Sequence, residues 1–329
     1  MRPPGAVSPP APAAPAPIRS RASRIVRTGF ALAVLSAAAW ILWREIRHTS
    51  PGLIASALAG IPGWALATAL ALTAVSYGCL AVTEVLVVRA CGFAVPARRS
   101  ALVAVAAFAA SNSLGFSLAS QGAVRLRGYG PAGLSRGQVA RLTLVASLAV
   151  TLSGVVTAGL TLAVAPLVFA HALDRPVLAV EAVALLLTSP AALWLAAFRR
   201  EGPFWLGGGS PTPPSRRSRG LAMAAGLGDW AASGGALFIL LPQPTLTGLA
   251  IFLVVFVLGS LVSAASGVPG GIGVFEAVVI SLTPLVAQTH ETAAALVAYR
   301  LIYSLGPAAL VILAFLALKA AHWRPSRPS

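Results

Sequence analysis

The chain has 329 residues, of which 57% are hydrophobic and only 10% charged, with a mean hydropathy of +0.85; an ordinary soluble domain carries roughly 25% charged residues. These values exclude a soluble globular enzyme and predict an all-α integral membrane protein in which spans of about 20 residues build one polytopic helix bundle. The net charge of +16 does not point to nucleic acid, because the arginines fall in short clusters between apolar runs, as in cytoplasmic membrane loops; anionic lipid headgroups are the expected electrostatic partner.

Residues 1–27 are Pro/Ala-rich and then basic, too poor in large apolar side chains to fold alone, and predict a disordered cytosolic tail. Thr28 to Trp43 reads as a retained first span rather than a cleaved signal, because the chain after it is membrane throughout. Further apolar runs are Ile61 to Val88, Ala101 to Ala119, Val139 to Val168, Pro176 to Phe198, Leu221 to Leu241, Leu246 to Ser266, Val274 to Val286 and Thr292 to Ala320, before a short cytosolic tail at 321–329. The membrane domain is therefore expected over residues 28–320. Cys79 and Cys91 form no disulfide framework and lack metal-ligand spacing, so both are expected to pack. "GYGPAG" (Gly128 to Gly133) and "GLSRG" (Gly133 to Gly137) match soluble-enzyme patterns, but no predicted strand precedes either. The four histidines are scattered at segment ends, and no metal, cofactor or catalytic centre is expected.

Charge arbitrates the topology. If Ala101 to Ala119 dips into the bilayer and returns to the side it came from, while Leu246 to Val286 forms a hairpin from the opposite side, 20 of the 24 Lys and Arg face the cytoplasm. If that first segment instead crosses completely, only nine lie inside against fourteen outside. The positive-inside rule selects the re-entrant reading, with both termini cytoplasmic. The two broken segments then stand in corresponding positions: "SNSLGFSLASQGAVR" (Ser111 to Arg125) and "SAASGVPGGIGVFE" (Ser263 to Glu276). Gly115 in the first, and Gly267, Pro269, Gly270, Gly271 and Gly273 in the second, are the backbone hinges, since glycine leaves helical geometry readily and proline donates no backbone hydrogen bond. Paired interrupted helices in two halves of a membrane protein point to a transport site.

Seven charges lie in or at the edges of apolar segments: Glu84, Arg125, Arg141, Glu181, Asp229, Glu276 and Arg300. Each costs at least about 2.5–3.5 kcal/mol at mid-bilayer, so each is expected to face the bundle interior and find a partner, Glu181 alone reaching the interface. Tyr77 and Glu84, seven apart, share a helix face, as do Arg300 and Tyr303, three apart, so each pair presents a hydroxyl beside a charge. Arg300 suits a phosphate, because its planar fork stays ionised and binds oxygens two at a time. The expectation is that Arg300, Glu276, Arg125, Asp229 and Glu84 line one cavity, with Cys91, just past the second span, facing the cytoplasm within reach of an impermeant thiol reagent, and Cys79 buried.

In that order along the chain, "SNSLGFSLASQGAVRLRGYGPAGLS", "GDWAASGGALFILLP", "GVPGGIGVFEAVV" and "ALVAYRLIYSLGP" resemble the transmembrane flippase-like domain of lysylphosphatidylglycerol synthases, shared with the UPF0104 membrane proteins. The resemblance runs from about residue 28 to residue 320. It implies a bacterial inner-membrane protein that handles lipids, with the family's buried acidic and basic residues falling on Arg125, Asp229, Glu276 and Arg300, and Glu84 standing where relatives often carry aspartate. The chain ends nine residues beyond the last expected span, so the soluble aminoacyltransferase domain of those synthases, and its reaction, are not expected here. The reading is a non-enzymatic translocator of a zwitterionic or aminoacylated phospholipid; the alternative is a membrane scaffold for a separate lipid aminoacyltransferase or glycosyltransferase.

Overall fold

The computed structural model describes residues 51–114, 117–197, 216–242, 244–265, 273–283 and 289–322. The basic tail, the expected span Thr28 to Trp43 and the hinge residues Gly115, Gly267, Pro269, Gly270 and Gly271 lie outside them. Among the described residues every regular element is a helix: α1 (Pro51–Ala59), α2 (Gly63–Ala90), α3 (Ala97–Leu114), α4 (Ser117–Tyr129), α5 (Arg136–Val164), α6 (Pro166–Leu173), α7 (Val177–Ala197), α8 (Arg216–Phe238), α9 (Leu246–Ala265), α10 (Val274–Leu282), α11 (Thr289–Tyr299) and α12 (Gly306–His322). The six residues Arg300–Leu305 between α11 and α12 form a π-helical segment. Among the described residues four stretches are long and apolar enough to cross a membrane: Gly63–Ala90, Arg136–Val164, Leu246–Ala265 and His290–Ala317. On the last of these Leu310, Ile312, Leu313, Phe315 and Leu316 are all exposed, a surface that suits lipid and not water. The protein is an all-α polytopic membrane protein.

Local chemistry sets the helix ends. At the end of α2, Gly92 takes φ 77°, its N–H reaching Arg89 O, while the Phe93 N–H reaches Val88 O. This is the paired closing bond of a glycine-terminated helix. The helix α5 starts at Ser135, whose hydroxyl accepts from the Gln138 N–H while the Gln138 side chain accepts from the Ser135 N–H. "GLSRG" is thus a helix cap, and "GYGPAG" is the end of α4 followed by a short 3-10 turn at Gly130–Ala132.

The core is built on α2 lying along α8, with α5 packed against α7, α8 and α9. Small residues allow this. A β-carbon on Gly154 of α5 would fall 2.5 Å from the Trp230 ring of α8, and one on Gly226 would fall 2.0 Å from Ser153 Oγ.

The run Ala101 to Ala119 is not one straight helix. It is two helices, α3 ending at Leu114 and α4 beginning at Ser117, and α4 folds back along α3. Near the tip Gln121 donates to Ser111 Oγ at 3.3 Å; at the open end Arg99 Nε donates to Gly128 O at 2.9 Å, and a β-carbon on Gly128 would lie 2.4 Å from Val103 Cγ2. Arg99 and Gly128 therefore stand at one level, so the chain leaves this hairpin on the side from which it entered. A second hairpin brings α10 back on α9: Phe275 meets Phe256 edge to face at 5.6 Å, and Gly259 leaves room for Phe275 and Val278. Its tip, 266–272, is outside the described residues. One expectation fails here. Cys91 is 4% exposed, in one cluster with Val87, Tyr129 and Leu142, because the Gly92 turn folds the loop after α2 back onto the bundle, whereas Cys79, within α2, is half-buried.

Candidate functional site

Among the described residues, five of the predicted charges gather in two ion pairs and one hydroxyl network. The reason lies along α2. Ser76 and Tyr77 are at the middle of this 28-residue helix, and Glu84 lies a further seven residues on, about 10 Å along the axis. The two positions share a face but serve different layers.

In the outer layer, Arg125 donates from Nε to Glu84 Oε1 at 2.8 Å and from Nη2 to Oε2 at 2.7 Å. Arg125 Nη1 donates to Gln121 at 2.7 Å, Tyr129 donates to Glu84 Oε1 at 2.9 Å, and the guanidinium lies 5.6 Å from the Phe108 ring centre. Both charges are thus closed off by protein. Gln121, Arg125 and Tyr129 recur every four residues on α4, a helical face visible in the sequence but not singled out from it.

At mid-helix, Ser76 Oγ donates to Asp229 Oδ1 at 2.5 Å and lies 2.8 Å from the Tyr303 hydroxyl. Tyr77 donates to the Tyr303 carbonyl at 3.1 Å and accepts from Asn112 at 3.3 Å; Ser113 donates to the Ser304 carbonyl at 2.9 Å. Tyr299 stacks on Tyr303 with ring centres 4.9 Å apart. The π-helical segment has a cause. Pro307 has no N–H to give the Tyr303 carbonyl four residues earlier, and Gly306 donates five residues back, to Leu301 O. The carbonyl left over is the one Tyr77 satisfies. Ser76 and Tyr299 escaped the sequence reading, because Tyr77 and Tyr303 stood out only by their spacing of seven and three from a charge, whereas a serine among apolar residues is unremarkable and Tyr299, next to Arg300, falls on another face.

At the third place, Glu276 receives Arg300 through Oε1, from Nε at 2.5 Å and from Nη2. Its Oε2 accepts the Gly273 N–H at 2.8 Å. Gly273 has φ 87°, so Glu276 caps the first turn of α10 directly after the glycine-rich break, where the helix dipole also favours a carboxylate. Arg300 opens the π-helical segment, which turns its side chain to Glu276 while Tyr303 faces Ser76, so the two do not act as one pair. The Arg300 side chain stays 30% exposed. Both hairpins therefore converge on Tyr299–Leu305, the first through Asn112 and Ser113, the second through Glu276 and through Phe256, whose ring meets Tyr299 at 6.2 Å.

No family model matches the chain. The chain is similar to an inner-membrane protein. It is 29% identical over 266 residues to the inner membrane protein YbhN of Escherichia coli (strain K12), covering 78% of this chain and 80% of that one. It is also 29% identical over 281 residues to the uncharacterized protein slr0712 of Synechocystis sp. (strain ATCC 27184 / PCC 6803 / Kazusa), covering 83% and 84%. Likeness to an inner membrane protein over 78% of the chain and, among the described residues, four helices long and apolar enough to cross agree on a membrane location. Glu181, the weakest of the sequence candidates, is exposed on α7 and joins none of the three groups, and Arg141 lies within electrostatic reach of Cys91 near the start of α5. Among the described residues no three His, Cys, Asp or Glu side chains gather as a metal site requires.

Proposed function

We propose that the protein translocates a phospholipid with a zwitterionic or aminoacylated headgroup between leaflets of a bacterial inner membrane, without catalysing a reaction, as its resemblance to the flippase-like domain of lysylphosphatidylglycerol synthases implies. The observation that carries this reading is the convergence of two helical hairpins on one π-helical segment bearing a partly exposed arginine. Irregular backbone at membrane depth is tolerated where it is buried or lines a cavity, and π segments recur at functional sites. A headgroup leaving water needs a cation for its phosphate and a carboxylate for its amine. Arg300 supplies the first and Glu276 the second. Glu84 and Arg125 satisfy each other, so they hold the first hairpin in place instead of meeting lipid.

One observation favours a second reading. Glu276 already neutralises Arg300 and caps α10, as a static helix clamp would. In that case the protein is a membrane scaffold for a separate lipid aminoacyltransferase or glycosyltransferase. Leaflet-resolved transport in vesicles containing only this protein separates the two. Movement of amine-bearing phospholipid, impaired by Glu276→Gln, is expected of the translocator. Movement of a polyprenyl-phosphate sugar alone would overturn the headgroup assignment, and no movement of either lipid would favour the scaffold.

A further inference from the structure

Asp229 differs from the other buried acids in what surrounds it. Glu84 and Glu276 each face an arginine, whereas the contact described for Asp229 is the Ser76 hydroxyl. Asp229 is 5% exposed and Ser76 is sealed from solvent altogether. An ionised carboxylate without a cation at the centre of a membrane bundle is expensive, and the usual relief is to take up a proton. Among the described residues no cation is bonded to Asp229. From α2 come Ser76, Tyr77 and Cys79; from the end of α11 and the π-helical segment come Tyr299, Tyr303 and, beyond Tyr299, Arg300, which is bonded to Glu276. Elsewhere on α11, His290 and Glu291 lie at its opposite end; Arg136 and Arg141 lie at the start of α5; Glu181 of α7 is exposed; and α9 has no ionisable residue.

We propose that Asp229 is a proton-binding site whose loading and unloading drives the movement of the hairpins, an inference that rests on the translocator reading. The geometry supplies both states. When Asp229 is ionised, Ser76 donates its single hydroxyl proton to Oδ1, and Tyr303 donates to Ser76. When Asp229 carries a proton it becomes the donor to Ser76 Oγ; Ser76 then donates to the Tyr303 oxygen, and the Tyr303 hydroxyl proton must turn to another acceptor. One proton added at Asp229 thus reverses every bond of the chain Asp229, Ser76, Tyr303. The reversal reaches moving parts. Tyr303 lies three residues after Arg300, and its carbonyl and that of Ser304 hold Tyr77 and Ser113, linking the segment to the tip of the first hairpin. The two protonation states favour different arrangements of the segment on which both hairpins converge, which is the two-state element that coupling requires.

The test uses the full chain in vesicles of phosphatidylglycerol containing acyl-chain-labelled phosphatidylethanolamine, whose amine is left free. Infrared difference spectra should show a carboxylic-acid C=O band that grows on acidification, is lost in Asp229→Asn and is displaced in Ser76→Ala, which keeps the acid but removes its partner. A proton gradient should raise lipid movement several-fold in the wild type, and the ratio with and without gradient should fall to about one in Asp229→Asn. A band indifferent to both substitutions, measurable lipid movement that ignores the pH gradient, or stimulation by a sodium gradient in its place would overturn the proposal. If the wild type moves no lipid under any gradient, the translocator reading fails and drive falls with it. The band then decides the site by itself: its loss in Asp229→Asn upholds proton binding, and its persistence refutes it.

Discussion

Arg125 and Glu84 face each other as a two-pronged ion pair from which water is shut out, the two side chains being 0% and 1% exposed. The pair ties the second arm of a hairpin to the long helix α2, and its remaining polar atoms are taken by Gln121 and Tyr129. Removing one partner of such a pair leaves a buried charge unpaired, at a cost of about 3–5 kcal/mol, whereas replacing both by apolar residues of similar volume is far milder. Arg125→Leu and Glu84→Leu are each expected to lower the thermal midpoint in detergent sharply, and the double variant to recover most of the loss. A double variant as unstable as the sum of the singles would mean that the two residues do not act as a unit.

Arg300 and Glu276 should behave differently, because the carboxylate, 9% exposed, also accepts the Gly273 N–H and so keeps a partner when the arginine, 30% exposed, is removed. Arg300→Leu should insert and fold with a midpoint near that of the wild type while losing lipid movement. Glu276→Gln keeps an oxygen for the Gly273 N–H, but Glu276→Ala does not, so the alanine variant should be less stable than the glutamine variant by roughly 0.5–2 kcal/mol. Equal midpoints for these two would show that the cap contributes nothing.

Cys91 sits one residue past α2, and burial pushes its thiol up to about 11. Only the thiolate reacts with maleimide, so at pH 8 about one molecule in a thousand is reactive. Raising the pH through 8 to 10 should speed labelling about tenfold per unit, since the thiolate fraction grows until the pH reaches the thiol's own value. Denatured protein should label at once. Rapid labelling of native protein at pH 7, read by a mass tag, would contradict the buried placement.

The closed base of the first hairpin makes a topological prediction. Arg98 and Gly130 are exposed beside Arg99 and Gly128, which stand at one level. In a cysteine-free background, Arg98→Cys and Gly130→Cys should both react with an impermeant reagent from the same side, which the positive-inside rule makes the cytoplasm. Reaction from opposite sides would require this segment to cross the membrane.

Much of this is legible in the sequence alone, for one reason: a bilayer is a uniform solvent that imposes length, apolarity and backbone satisfaction on every segment, and each leaves a local mark in the sequence. The helix-only architecture follows from apolar runs and scarce charge, and the break inside Ala101 to Ala119 follows from arginine counting together with the small polar residues of "SNSLGFSLAS". The acids and arginines could be singled out by their cost in an apolar run. Their pairing could not. Glu84 reaches Arg125 across 41 positions and Asp229 reaches Ser76 across 153, and no local pattern encodes which charge meets which. Only the tertiary structure separates one fully closed ion pair, one partly open pair at a helix cap, and one acid held by hydroxyls. That division depends on how far along α2 each partner stands and on a π-helical turn that Pro307 induces and the packing of Tyr77 completes.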